Sequence, residues 1–296
     1  DAIIAIGGGS AMDGGKLICL TANNDIPLRD FEFELTPPKI SKDNPFPKII
    51  TIPTTAGTGA ETEITAMVTY LKEGMKFCMW HPDARPVLAL VDPELTLGLP
   101  PSLTAWTGVD AMVHAIEGYC VPGFNPLCDG SAIESLSLIS KSLYLAVEEP
   151  KNLVARGGMH VGSYLGGVAF LKGLGLVHAI SHMVGAEFNT QHGLTNAIIL
   201  PVVLRYNLSG MDEKVKRMSE AMQFEDHSIE AFITNIEKML DRLNIPKSLS
   251  EIGVPEDCVE RIAKKAMKDQ AYATNPKIAT LEEVKEMTLA SIKKAR

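Results

Sequence analysis

Asp110 and His114 stand four residues apart in the helical run TGVDAMVHAIEG, residues 107–118. On an α-helix that spacing stacks two side chains on one face, with Cβ atoms about 5–6 Å apart. A carboxylate oxygen and an imidazole nitrogen placed that way can both reach one divalent ion at roughly 2.0–2.2 Å. Two donors do not close a site, and more stand downstream. In GLVHAISHMVGAEFNTQHG, residues 175–193, His178, His182 and His192 are three of the chain's seven histidines. A carboxylate with two or three imidazoles suits Fe²⁺ or Zn²⁺, whereas Mg²⁺ and Ca²⁺ want oxygen. Alone, Asp110 with His114 also fits a capping carboxylate and an ordinary helix histidine. The downstream cluster turns the reading toward a metal.

Other elements must hold whatever this site acts on. Residues 2–6, AIIAI, read as a strand buried on both faces, as in a parallel sheet. Gly7-Gly8-Gly9-Ser10 follows at once, and residues 11–20 look helical. Strand, glycine turn and helix make a phosphate cradle, because the backbone can approach an anion and the helix start offers free N–H groups. It is not the GxGxxG fingerprint, since Met12 takes the third glycine's place, and a tight turn without a ligand is the plainer alternative. A second strand, 48–52, runs into PTTAGTG, residues 53–59. Small and hydroxylated residues at a strand's carboxyl end suit phosphate or ribose, although a Thr/Gly loop is usually only a turn.

Further strands are expected at 65–70, 75–80 and 87–91, with a surface excursion over 23–47. After Pro100 strand signals vanish. Helical periodicity continues over 102–119, 126–149, 151–171, 175–185, 193–206, 211–222, 228–243, 256–269 and 281–295. The expected fold is an α/β part over 1–98, holding part of a dinucleotide-binding parallel sheet, then an all-α metal-binding and catalytic domain over 99–296. The cleft between them is the natural reaction site.

Composition narrows the partners. The 296 residues are 46% hydrophobic and 22% charged, and the net charge of −8 argues against a nucleic-acid or anionic-membrane partner. No apolar run approaches the roughly 20 residues of a membrane helix. Five scattered cysteines without a CxxC pair fit reduced thiols in a cytoplasmic protein. The chain opens on Asp1 and the strand that follows it, so residues ahead of it are expected to be missing.

GGGSAMDGGK, PTTAGTGAE, GVDAMVHAIEGY and GLGLVHAISHMVGAEFNTQHG, in that order, resemble the iron-containing (group III) alcohol dehydrogenases over the whole chain. The resemblance implies a metal, Fe²⁺ or Zn²⁺, held by Asp110, His114, His178 and His192. His182 matches a histidine that is not a ligand but lies near nicotinamide and substrate, with a proton relay as its catalytic role and an orienting or packing role as the alternative. Gly8, Gly9, Ser10 and Asp13 match the pyrophosphate loop. Thr54, Thr55, Thr58 and Lys76 match other cofactor contacts, and Leu103 a position beside the nicotinamide. The implied activity is reversible oxidation of primary alcohols or diols with NAD, or less often NADP, in a homo-oligomer such as a dimer.

Three departures stand out: roughly ninety residues expected ahead of the GGGS loop, with the first half of the nucleotide-binding unit, are absent; GTGAE replaces GTGSE, with Glu63 where a threonine is usual; and 170–175 is one residue short. Two other readings remain. One is a non-redox NAD-using metal lyase of the dehydroquinate-synthase kind, against which segments 104–119 and 173–195 hold no Lys or Arg for a phosphorylated substrate. The other is an inactive metal-binding fragment. Trp106, Phe170 and Leu171 are the candidate walls of a pocket for a small alcohol.

Overall fold

The computed structural model describes all 296 residues. β1 (Ala2–Gly7) lies parallel to β2 (Lys48–Pro53), which lies parallel to β5 (Leu88–Ala89), giving the order β1-β2-β5. Ala2 pairs with Lys48 and Gly7 with Pro53, so β1 and β2 end level. Their two loops therefore leave the sheet side by side, tied by Thr54 N–H donating to Gly7 O at 2.9 Å. α1 (Gly9–Thr21) covers the face that carries Ala5 and Ile49, where Met12 completes a small core. β3 (Thr65–Tyr70) and β4 (Met75–Trp80) form an antiparallel hairpin that turns through Gly74 at φ +58°.

The first strand departs from expectation. It is not buried on both faces: Ile4 is 63% exposed and Ile6 55%. Leu88 and Leu90 extend the bare apolar face across the sheet, because α1 packs on the other side. The expected strand at 87–91 shrinks to two residues, though Val87 and Leu90 N–H still donate to Ile49 and Thr51 carbonyls at 2.9 Å.

Helices follow from Pro101. They are α2 (Pro101–Cys120), α3 (Pro126–Glu148), α4 (Leu153–Ala169), α5 (Leu176–Phe188), α6 (His192–Asn207), α7 (Asp212–Ala221), α8 (Ile229–Arg242), α9 (Val259–Ala266), α10 (Gln270–Ala273) and α11 (Leu281–Lys293). α2 starts on Pro101, whose missing N–H costs nothing at a helix start. It is buried from Thr104 to Cys120 except at Trp106, the pattern of a central helix, and α3, α4 and α6 pack around it. The expected helix over 256–269 resolves into a 3₁₀ turn at Glu256–Cys258 and α9, which ends at Ala266, with α10 following separately from Gln270. The Asp269 side chain accepts Ala271 N–H and starts a new turn there.

The core is unevenly divided. A 54-residue apolar cluster fills the helical part, and the α/β part adds only Ala56 to it. The sheet and hairpin rest on clusters of six and four buried residues. No single helix is long and apolar enough to cross a membrane.

Candidate active site

Three helices converge to build the site. α2 presents Asp110 and His114 on one face. α5 presents His178 and His182. α6 opens on His192 after Gln191, whose side chain accepts Leu194 N–H. One donor atom from each of Asp110, His114, His178 and His192 lies within 4.8 Å of the others. Asp110 Oδ1 is 3.6 Å from His192 Nε2 and 3.9 Å from His178 Nε2. A tetrahedral ion with bonds of about 2.1 Å spaces its donors about 3.4 Å apart, so the cluster fits one ion with little adjustment.

Hydrogen bonds orient the rings. His114 Nδ1 lies 3.2 Å from Gly57 O, and a carbonyl only accepts, so Nδ1 carries the proton and Nε2 keeps its lone pair. His178 Nδ1 donates to Glu117 Oε2 at 2.7 Å, with the same result. Burial drives the His114 pKa down to about 4, against the pull of Asp110. Burial, joined by Lys76 and the neighbouring histidines, also depresses His192 well below its ordinary value. Both rings are thus neutral near pH 7, the form that binds metal. For His178 burial acts downward as well, but the Glu117 hydrogen bond and the charges of Glu117, Asp110 and Asp269 raise it.

Asn196, one turn beyond His192, donates from Nδ2 to Asp110 Oδ1 at 2.7 Å and lies 3.1 and 3.2 Å from Nε2 of His178 and His192. Its Oδ1 and His192 Nδ1 are buried without partners. Orphaned buried atoms beside converging lone pairs mark a place built for something more than the protein supplies. The donor set and the cluster fit Fe²⁺ or Zn²⁺.

His182 stands apart from the four donors. Its ring stacks on His192 at 5.4 Å between centroids and 17° between planes, and its Nδ1 lies 2.9 Å from Asp269 Oδ2. Phe170 packs on His114 at 4.8 Å, Trp106 is half-buried against the core, and Leu171 is 64% exposed. Of the three candidate pocket walls, only Phe170 meets a site ring directly.

The two glycine and threonine loops meet. A Cβ on Gly8 would be 3.5 Å from Thr55, and one on Gly9 2.8 Å from Thr58, so the loops lie against each other. α1 begins without a side-chain cap, which leaves the N–H groups of Gly9 and Ser10 for a ligand. Thr54, Thr55 and Thr58 are half-buried along this edge, and Ser10 is exposed. Gly57 joins the loop to His114 through its carbonyl. Asp13 accepts Met67 N–H at 3.1 Å and faces the fully buried Lys16 at 3.7 Å. Leu103 sits in the first turn of α2, its carbonyl accepting the Thr107 hydroxyl.

Lys76 reaches in from β4. Asp110, Asp13 and Asp269 all act on it, while burial pulls its pKa down. The metal segments carry no cation, but the hairpin brings one to them. Glu63, the departure in the threonine loop, bonds to the Thr65 hydroxyl, and burial lifts its pKa to about 7. A cavity of about 260 Å³ opens between the hairpin and residues 268–270, with Lys76 and Asp269 in its lining.

Sequence reasoning missed Glu117, Asn196 and Asp269. Glu117 follows His114 by three residues and Asn196 follows His192 by four, so helical spacing could have found both. Asp269 carried no such signal, being 87 residues from His182.

A short parallel sheet presenting two loops of nucleotide-binding type, set on a helical body that gathers one carboxylate and three imidazoles, defines a two-part metal enzyme. Comparison with known proteins specifies it. The family description "Iron-containing alcohol dehydrogenase" matches residues 1–93, and "Fe-containing alcohol dehydrogenase family, C-terminal" matches residues 104–292. The chain is 37% identical over 296 residues to the lactaldehyde reductase of Escherichia coli K12, covering 97% of this chain and 76% of that protein. It is 35% identical over 294 residues to the NAD-dependent methanol dehydrogenase of Bacillus methanolicus, with the same coverage. The crystal structure of a 1,3-propanediol oxidoreductase superposes with a TM-score of 0.92 at 33% identity, over 99% of this chain and 77% of that one. This chain belongs to the iron-containing alcohol dehydrogenase family. The alignments run over 97% of this chain and 76% of the relatives, so part of each relative's length lies outside the match.

Proposed function

We propose that the chain is a metal-dependent alcohol dehydrogenase that moves a hydride reversibly between a small primary alcohol or diol, or the matching aldehyde, and NAD(P). The observation that carries the reading is the cluster of Asp110, His114, His178 and His192 donor atoms within 4.8 Å of one another. We assign these four residues to the metal, Fe²⁺ or Zn²⁺. Gly8, Gly9, Ser10, Asp13, Thr54, Thr55, Thr58, Lys76 and Leu103 are assigned to the cofactor, with residues 1–98 as the nucleotide part and 99–296 as the catalytic part.

When bound, the ion supplies Lewis acidity toward an alcohol or carbonyl oxygen, and the nicotinamide takes or gives the hydride. The chain's own groups do the positioning. Gly57 O fixes the His114 ring, Asn196 holds the Asp110 carboxylate, and the Phe170 ring keeps water from one side of His114. Asp269 holds Nδ1 of His182, leaving Nε2 as the atom that takes the alcohol proton or returns it. Segments 104–119 and 173–195 hold no Lys or Arg, and Lys76, which reaches them from β4, is assigned to the cofactor, so the balance favours uncharged substrates over phosphorylated ones. All five thiols are free and buried, which supports a cytoplasmic setting, and the bare apolar sheet face supports a homo-oligomer.

The test is metal analysis and turnover with short aldehydes and NADH or NADPH, on wild type, His178→Ala and His192→Ala. Wild type is expected to hold about one ion per chain and turn over, and both variants to lose both properties. Unchanged metal content in the variants would sink the assignment.

A further inference from the structure

Glu117 lies on α2, two turns beyond Asp110, and is 5% exposed. Its carboxylate takes three N–H groups from the start of α5. Oε1 accepts Val177 N–H at 2.8 Å, while Oε2 accepts Gly175 N–H at 3.1 Å and His178 Nδ1–H at 2.7 Å. No lysine or arginine lies within ion-pair reach; His178 is its only ionisable partner. The helix start it meets has no side-chain cap of its own, since Gly175 is the capping residue. A negative charge is favoured there by the helix dipole. The fit is close: a Cβ on Gly175 would stand 2.7 Å from Glu117 Oε1 and 2.8 Å from Asn275 Oδ1.

We propose that Glu117 is a positioning residue that fastens the start of α5 to α2 and fixes the Nδ1–H tautomer of His178, so that Nε2 is presented to the metal. The proposal rests on the metal reading above. A carboxylate only accepts, so the proton must sit on Nδ1, and the lone pair is left on the ring edge 3.9 Å from Asp110 Oδ1. Glutamine in its place has one acceptor oxygen and one donor NH₂ for three N–H groups. If the NH₂ faces His178, Nδ1 must accept and the proton moves to Nε2, where it blocks the donor atom. If it faces Val177, the helix start loses its partner.

The test uses the full chain, stripped of metal, as wild type, Glu117→Gln and Gly175→Ala. Zn²⁺ affinity is read by competition with a chromophoric chelator, and the His178 tautomer by ¹⁵N NMR of histidine-labelled protein. Wild type is expected to show the Nδ1–H form. Glu117→Gln should depopulate that form and weaken Zn²⁺ binding roughly 10–100-fold. Gly175→Ala keeps the carboxylate but crowds it, so the same two readouts should move the same way. If Glu117→Gln does not fold, Gly175→Ala carries the test. An unchanged tautomer with Zn²⁺ affinity within about twofold of wild type would overturn the proposal. If wild type itself binds no Zn²⁺, the metal reading falls, and the tautomer comparison still decides whether Glu117 governs His178.

Discussion

Gly193 offers a way to pull the site apart without touching a donor. It follows His192 on α6, where that helix crosses α2. A methyl on Gly193 would lie 3.0 Å from Asp110 Cβ and closer still to the Trp106 carbonyl. Carbon atoms in contact sit about 3.5–4.0 Å apart, so Gly193→Ala must push the helices apart by about 1 Å. His192 Nε2 and Asp110 Oδ1, now 3.6 Å apart and close to the roughly 3.4 Å spacing of a tetrahedral ion's donors, would then stand about 1 Å beyond that spacing. Overpacking should cost about 1–3 kcal/mol in the metal-free protein. The metal-dependent part is the sharper readout. An ion at about 1,000 times its Kd adds about 4.1 kcal/mol to stability, and after a loss of about a hundredfold in affinity the same concentration adds about 1.4. At about 2 °C per kcal/mol for a chain this long, the rise in melting temperature on adding Zn²⁺ should shrink by about 5 °C. Scanning calorimetry of both proteins, with chelator and with excess Zn²⁺, measures it. An equal metal-induced rise in both would refute the claim that this crossing sets the donor spacing.

Three further outcomes are expected. His160 is buried with both ring nitrogens unpartnered, and burial lowers its pKa to about 4. Below pH 6.5 the unfolded chain gains a proton that the fold refuses, so stability should fall by up to about 3 kcal/mol as pH drops from 6.5 to 4. His160→Leu should leave stability near wild type at pH 7 and flatten that fall; urea midpoints at pH 7 and 4.5 decide, and an unaltered slope would contradict it. Lys16→Met removes the cation that bonds Thr65 O at 2.7 Å and faces Asp13, leaving buried carboxyls uncompensated. It should cost about 3–5 kcal/mol by urea unfolding, and a loss under about 1 would deny Lys16 that role. Ile4→Thr with Ile6→Thr should reduce concentration-dependent association in light scattering, since both side chains sit on the bare sheet face; unchanged association would place the contact elsewhere.

What the sequence could disclose follows from how far apart the interacting residues lie. Asp110 with His114, and His178 with His182, are pairs one helical turn apart, so their shared faces could be read from the chain alone. Packing three helices together does the rest, and the strength of the α2 pattern comes from its burial along nearly its whole length. The two loops were legible for a similar reason: each follows a short apolar strand, and parallel pairing that ends level at Gly7 and Pro53 brings them together.

The supports are different in kind. Glu117 meets His178 across 61 residues and Asp269 meets His182 across 87, and no period in the chain relates such pairs. The strand at Ala2–Gly7 fails in the opposite way, because an apolar run looks the same whether or not another element covers it. Burial is a property of the partner as much as of the run. Yet one support was half visible: Asp110, His114 and Glu117 recur at i, i+4 and i+7, a polar stripe on an otherwise apolar helix. Two of those positions face the proposed ion. The third acts through a histidine on another helix, which explains why a carboxylate is held in so apolar a place with no lysine or arginine beside it.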